Sequence, residues 1–400
     1  MGRMARGTGM SRRTAIVVGG GIGGMAAAVA LIRRGWQVEV LERATTFGEV
    51  GAGLSLWPNG LRALDALGVG EQVRAHALVE TKTGFRDVSG RWLSQTDTDE
   101  LERRYGPLVM IHRAHLLDIL REAVPAASLH KETEVTQVIR AGSGTSQVEI
   151  EHDHGVSRAD LLVGADGIHS TVRRSLWPQA PEPCYAGYTA WRLIVDAGRP
   201  LSAGGETWGR GERVGIAPLP DGRVYVFGVA NTPPGQRSPG GELEEMRRRF
   251  GSWHAPIPDL LAAAGEDTVM RHDIYELPPL STYVTGRTAL LGDAAHAMTP
   301  NMGQGAIQAL EDAVTLAALL ASQPDVESAL VAYDQQRRPR TQLIARRSHR
   351  IGSVAQWSSA PASTLRNWLL RLAPSSSMLN ALGPVLTWQP PDPGPAHEKS

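Results

Sequence analysis

The spacing of apolar positions changes several times along the chain, and each change marks an element. "TAIVV" is a short β-branched run, closed by "GGGIGG" and followed by "MAAAVALIRRG", whose small and aliphatic residues suit a buried helix. This pattern predicts a strand over 15–18, a glycine loop over 19–24, and a helix to about Arg34 stopped by Gly35. A second strand follows over 37–41. "FGEVGAGLSLWPNGLRALDALGVG" reads as a glycine-rich loop and a short amphipathic helix. "HRAHLLDILREAV" reads as another helix, with strands near 134–139 and 147–152 after it. "RADLLVGADGIHSTVRRSL" is again strand, turn and helix.

From about Tyr185 to Tyr283 the period falls to two. "YTAWRLIVDA", "ERVGIAPLP" and "RVYVFGVA" alternate as strands do, and "GELEEMRRRFGSW" interrupts them as a helix. The strand–turn–helix pattern returns at "GRTALLGDAAH", and a long helical stretch follows. After about Gln356, Ser and Pro become frequent around an amphipathic "LRNWLLRL". The expected fold is α/β. A Rossmann-like nucleotide-binding domain over 14–80, 105–180 and 284–350 is interrupted by a mostly β substrate domain over 81–104 and 181–283. Residues 1–13 form a disordered lead, and 351–400 a helical C-terminal segment.

Composition narrows the partners. The 400 residues carry zero formal net charge, so neither nucleic acid nor an anionic membrane is expected as the main partner. The single cysteine, Cys184, excludes an internal disulfide, a CxxC redox pair and a zinc–cysteine cluster. No metal is expected, and a reducing cytoplasm is the simplest location. The N-terminus lacks an apolar signal core, and no uninterrupted apolar run has transmembrane length.

The glycine loop carries the first chemistry. Gly19 permits a tight turn, Gly21 lets the main chain approach a pyrophosphate, and Gly24 lets the helix pack on the strand. Glu42 ends the next strand, where a carboxylate can accept from ribose hydroxyls. These residues predict a dinucleotide and leave NAD and FAD both open. The stretch "LLGDAAHAMTPNMGQGAIQALEDAV", over 290–314, decides between them. Asp293 follows a strand and suits a polyol hydroxyl. Gly303, Gln304 and Gly305 open a helix near Ala306, whose free N–H groups suit the negative charge of a reduced flavin ring. A cofactor long enough to need both anchors is FAD. Asp166 and Arg173, in the middle motif, either fix their loop or contact FAD and nicotinamide; both readings stand.

The three motifs, in this order, resemble the class A flavoprotein monooxygenases, the p-hydroxybenzoate-hydroxylase-like fold. The likeness extends through "VGAGLSLWPNGLRAL", "IHRAHL", "YAGYTAW", "GERVGIAPLPDGRVYVF" and "LLGDAAH". It covers nearly the whole chain and is closest to the urate, salicylate and 3-hydroxybenzoate hydroxylase branch, with a zeaxanthin-epoxidase-like "MTPNMGQGA". The resemblance implies noncovalent FAD contacts at Gly23, Glu42, Arg43, Ser55, Arg113, Val135 and Asp293, and along Gly303, Gln304, Gly305, Ala306 and Ile307. It implies that Arg213 and Tyr225 face substrate. It also implies NAD(P)H and O2 as co-substrates and hydroxylation of a small aromatic substrate through a flavin C4a-hydroperoxide. Where a urate hydroxylase has asparagines beside the strand tryptophan, this chain has Ala190 and Arg192, so urate itself is not expected.

Strand parity selects the pocket. Tyr188, Ala190 and Arg192 share one face, as do Arg213, Gly215 and Ala217, and Arg223, Tyr225 and Phe227. Arg192, Arg213 and Tyr225 are therefore the candidate substrate residues, with guanidinium forks suited to a phenolate or carboxylate. Pro300 is expected to rigidify the loop beside the flavin. His296 reads as a flavin-adjacent rather than a catalytic histidine, and the arginines of 247–249 and 335–340 as solvated helix faces. The alternatives are an epoxidase or dearomatising hydroxylase acting on an isoprenoid or polyketide, and a non-catalytic flavin-binding protein. The chain is expected as a monomer or homodimer.

Overall fold

A computed structural model describes residues 13–48, 52–139, 147–201 and 203–392. Of the expected disordered lead, only Arg13 lies within the described residues.

Two large sheets organise the chain. The first is six-stranded, in the order Val284–Thr285, Thr288–Leu290, Leu161–Gly164, Thr14–Val18, Gln37–Leu41, Leu129–His130. All of its pairs are parallel except the edge pair of Val284–Thr285 with Thr288–Leu290. Parallel strands need crossovers that cover both faces, so the central strands are apolar on both sides. The helix Ile22–Ile32 is buried over nearly its whole length, because it lies between this sheet and the helix Gly305–Ser322. Its run of alanines permits that close packing. Gly305–Ser322 is long and apolar enough to cross a membrane, but it is buried in the core.

The second sheet has seven strands, in the order Met270–Glu276, Cys184–Val195, Val224–Asn231, Glu212–Pro218, Gly205–Trp208, Gly84–Asp87, Trp92–Gln95. A parallel pairing of Gly84–Asp87 with Gly205–Trp208 brings the two early strands into it. One face carries Trp191, Leu193, Val195, Val214, Val224 and Val226 into a core with the helices Glu242–Phe250 and Ile257–Ala263. The other face carries Tyr188, Ala190, Val229, Ala217 and Tyr225 toward the nucleotide-type domain. Alternation along each strand thus separates a structural face from one available for chemistry.

Two expectations change. The helix Val326–Ala355 runs without interruption through the expected boundary at 350/351. Arg223 lies in the turn before its strand and pairs with the exposed Asp221, so it does not share the inner face of Tyr225 and Phe227. The C-terminal segment forms two helices, Ala360–Leu372 and Ser375–Leu386.

Candidate active site

The first glycine turn is built as its composition requires. Gly19 has φ +107°, and a Cβ there would lie 2.4 Å from the Ala165 carbonyl oxygen. A Cβ on Gly24 would lie 1.9 Å from the Gly19 oxygen. Gly21 faces open space, which leaves the main-chain amides accessible to a phosphate. Glu42 stands beside this turn: its Oε2 accepts from the Gly20 amide at 2.6 Å and its Oε1 from the Ala44 amide at 2.8 Å. Arg43 is exposed, Val135 is buried, and Ser55 is half-buried with its hydroxyl 3.0 Å from the Met110 sulfur.

Asp166 joins this loop to the next helix. Its Oδ2 accepts from the amides of Thr171 and Val172 at 2.7 and 3.1 Å, which fixes the loop. Burial pushes the Asp166 carboxyl up, against those hydrogen bonds. Its Oδ1 is buried and unpartnered among the described residues, an acceptor still open to a ligand donor. Arg173, also buried, donates to the Ala294 and Ile168 carbonyls and ties this loop to the second turn.

The second turn sits beside the first. A Cβ on Gly23 would come within 2.9 Å of Leu291 and 3.1 Å of Ala309, and one on Gly292 within 3.1 Å of the same Ala309. The starts of the helices Ile22–Ile32 and Gly305–Ser322 therefore abut, although they are far apart in sequence. Gly292 and Gly303 both take positive φ, 58° and 60°, and Gly305 faces open space. Asp293 and Pro300 are exposed beside these turns; Ala306 is half-buried, and Gln304 and Ile307 are buried. Two adjacent helix N-termini with open glycine cradles, together with the orphaned Asp166 oxygen, fit an extended dinucleotide.

A buried charge cluster lies beneath both turns. Asp312 Oδ2 accepts from the Gly292 amide at 3.0 Å and from His296 Nε2 at 2.6 Å, while Arg337 Nε donates to its Oδ1 at 2.6 Å. Burial raises the Asp312 carboxyl, but His296 and Arg337 outweigh it and hold the group at about 2. Glu311 receives Arg337, Arg340 and Asn59, and Asn59 also donates to Gln304 Oε1 at 3.0 Å. The expectation of a solvated 335–340 face therefore fails at Arg337, which is 1 % exposed and fully ion-paired. His296 points into this cluster, so it acts on the turn rather than as a free base.

The residues expected to face substrate come from the inner face of the seven-stranded sheet. Arg113, from the nucleotide-type domain, loses solvation on burial, which lowers its pKa; Asp293 opposes that shift, and Arg192 adds to it. Tyr225 is pushed up by burial and held back by the nearby charges of Arg192 and Arg113. Its ring lies against Gly53, where a Cβ would clash at 2.8 Å. Arg113, Asp293, Arg192 and Tyr225 thus form one electrostatic group across the two domains.

Arg213 anchors the other end of this face. It is 2 % exposed and donates to Asn301 Oδ1 at 2.7 Å and to Glu206 at 3.4 Å. Its buried Nε has no partner among the described residues. Asn301 also donates to the Tyr188 hydroxyl at 3.0 Å, to Thr299 and to the Ser348 carbonyl. A cavity of about 300 Å³ opens beyond it, between Tyr188, Thr299 and the helix residues His349 and Gly352. Sequence reasoning missed Asn301, Glu206 and Arg337. Only Asn301, inside "MTPNMGQGA", carried a local signal.

A model of the family described as FAD binding domain matches residues 12–348. The chain is 38 % identical to the aurachin C monooxygenase/isomerase of Stigmatella aurantiaca, over 90 % of this chain and 94 % of that protein. It is 36 % identical to the 3-amino-4-hydroxybenzoate 2-monooxygenase of Streptomyces cremeus, over 89 % and 91 %. Among solved structures, Klebsiella pneumoniae HpxO in complex with FAD and uric acid superposes with a TM-score of 0.87 at 30 % identity, over 94 % of this chain and 96 % of that one.

Proposed function

Because the chain belongs to the FAD binding domain family, and its relatives are FAD-dependent monooxygenases, we propose that it hydroxylates a small, electron-rich, anionic aromatic or heteroaromatic substrate. When bound, FAD carries electrons from NAD(P)H to dioxygen and delivers one oxygen atom to the substrate ring. The residues around the first glycine turn, with Glu42, would hold the adenosine end. Asp293 and the amides of 303–307 would hold the ribityl chain and ring.

The observation that carries this reading is the Arg192–Tyr225 pair, seated against Arg113 and Asp293. The Arg192 charge beside the Tyr225 phenol favours loss of its proton, against burial. Burial keeps that proton on the oxygen at neutral pH. The hydroxyl can therefore donate to a phenolate, enolate or carboxylate oxygen. Arg192 and Arg213 supply positive charge at two positions along one sheet face, and the buried surroundings strengthen both. Arg213 also donates to Asn301, which holds its guanidinium in place on the inner face.

A relative acts on 3-amino-4-hydroxybenzoate and a solved neighbour holds uric acid. Both names fit an electron-rich ring bearing acidic oxygens or nitrogens. Ala190 and Arg192 depart from the expected urate pattern and favour a carboxylate- or phenolate-bearing ring over urate. The test is a panel of phenols, aromatic acids, hydroxyquinolines, purines, terpenoids and polyketide fragments, scored by stimulated NAD(P)H oxidation and by oxygen incorporation. Hydroxylation of an anionic ring, weakened in Tyr225→Phe, supports the reading. Coupled turnover of only neutral terpenoid or polyketide substrates overturns it in favour of the epoxidase alternative.

A further inference from the structure

The helix Ala360–Leu372 is amphipathic with its faces exchanged. Its polar side grips the protein: Arg366, 2 % exposed, donates to the carbonyls of Ala355 and Gly209 at 2.8 and 2.7 Å, and the Ser363 hydroxyl donates to that of Trp357 at 3.0 Å. The apolar side faces outward. Leu365, Trp368, Leu369 and Leu372, spaced i, i+3, i+4 and i+7, are 50, 56, 52 and 60 % exposed. Arg371, at the end of the stripe, donates to Asp87 at 2.6 Å, and Val88 beside that contact is 45 % exposed. Arg91 meets the same carboxylate, so two guanidinium groups stand at this rim.

Charge along the chain is uneven, although its total is zero. Between Asp334 and Asp392 there are eight arginines and no Lys, Asp or Glu. Arg346 and Arg350 of that stretch are exposed.

We propose that this helix docks the enzyme onto an anionic lipid bilayer. The stripe offers roughly 400 Å² of apolar surface, a patch size that marks function on monomers and about half of what each partner contributes to a standard protein interface. That area is too small to hold a dimer by itself and sufficient for shallow insertion at a lipid–water boundary. Trp368 suits the headgroup level and the three leucines the acyl boundary, while the exposed Arg346 and Arg350 and the rim guanidinium groups of Arg91 and Arg371 supply positive charge toward lipid phosphates. Zero net charge over the whole chain does not exclude this contact: several arginines of the stretch are neutralised by Glu311, Asp312 and Asp334, but Arg346 and Arg350 are exposed in a stretch that carries no acidic residue between Asp334 and Asp392.

The experiment is flotation of the FAD-loaded enzyme with phosphatidylcholine vesicles, with and without phosphatidylglycerol. Phosphatidylglycerol vesicles should capture the protein, and added salt should release it. Leu369→Ser with Trp368→Ser should weaken capture ~10-fold or more, with flavin content and turnover of a water-soluble substrate unchanged. Arg371→Gln gives an independent, milder reduction. No capture of the wild-type protein, or capture that the double variant leaves intact, overturns the proposal. So does a wild-type dimer in solution that the double variant dissociates, since the stripe would then belong to a second copy of the chain.

Discussion

The two large sheets do their chemistry in different ways. The parallel sheet, covered on both faces, acts through the turns at its strand ends: main-chain amides at Gly19–Gly24 and at Gly292–Gly305, set by positive φ and by the absence of Cβ atoms. The seven-stranded sheet instead offers side chains on its inner face, where the proposed substrate residues Arg192, Arg213 and Tyr225 alternate with core residues such as Trp191 and Val214. In the first, backbone geometry is the functional group, and substitution should act on cofactor and fold together. In the second, side chains can change while the fold persists, so specificity can drift there without loss of the flavin site.

The largest effect is expected at the crowded glycines. Gly24→Ala would place a carbon 1.9 Å from the Gly19 oxygen, so the protein should be recovered without flavin or not at all. Absorbance of the purified protein in the flavin band reads this directly. Next comes the cluster beneath the turns. Arg337→Met leaves Glu311 and Asp312 buried with less compensation, at a cost of ~3–5 kcal/mol in unfolding free energy, measured by denaturant titration. A loss under about 1 kcal/mol would show that the cluster is not the support described here.

On the other sheet the expected losses are smaller and fall on turnover. Arg213→Ala should lower substrate-coupled kcat/KM by ~10–100-fold while FAD affinity changes little, the loss being that of a charge-assisted hydrogen-bonding group. Equal losses in both would place Arg213 with the structural residues. The smallest expected effect is in acid. Asp312 has a folded pKa of about 2 against an ordinary 3.8, so its contribution to stability is complete above about pH 4 and is lost as pH falls through about 2. Asp312→Asn should flatten that part of the acid melting curve.

The same contrast explains what the sequence made legible. Glycine is the residue that tolerates Gly19's φ and its approach to Ala165, so the turn could be read from composition and spacing. Strand parity was enough to group Tyr188 with Arg192 and Arg213 with Ala217, each on one face of its own strand, because alternation is a local rule; the strand register then puts both groups on one side of the sheet. Parity could not show that Arg213 meets Asn301, which lies 88 residues away and is met only once the loop before the helix Gly305–Ser322 packs against this sheet. Arg337 misled for the same reason: three arginines within one helical turn look solvated until Glu311 and Asp312, from another helix, face them. Parity also failed at Arg223, because the strand begins one residue later and the preceding turn directs that side chain outward.

One FAD molecule would have to span both glycine turns. Titration of apo-protein with FAD, comparing Glu42→Ala and Asp293→Ala with the wild type, tests this most directly. Both variants should bind FAD ~10-fold or more weakly, because each removes an anchor at one end of the same molecule. Wild-type affinity in Asp293→Ala, with Glu42→Ala impaired, would mean that the cofactor stops at the first turn, and the assignment of the second turn would be wrong.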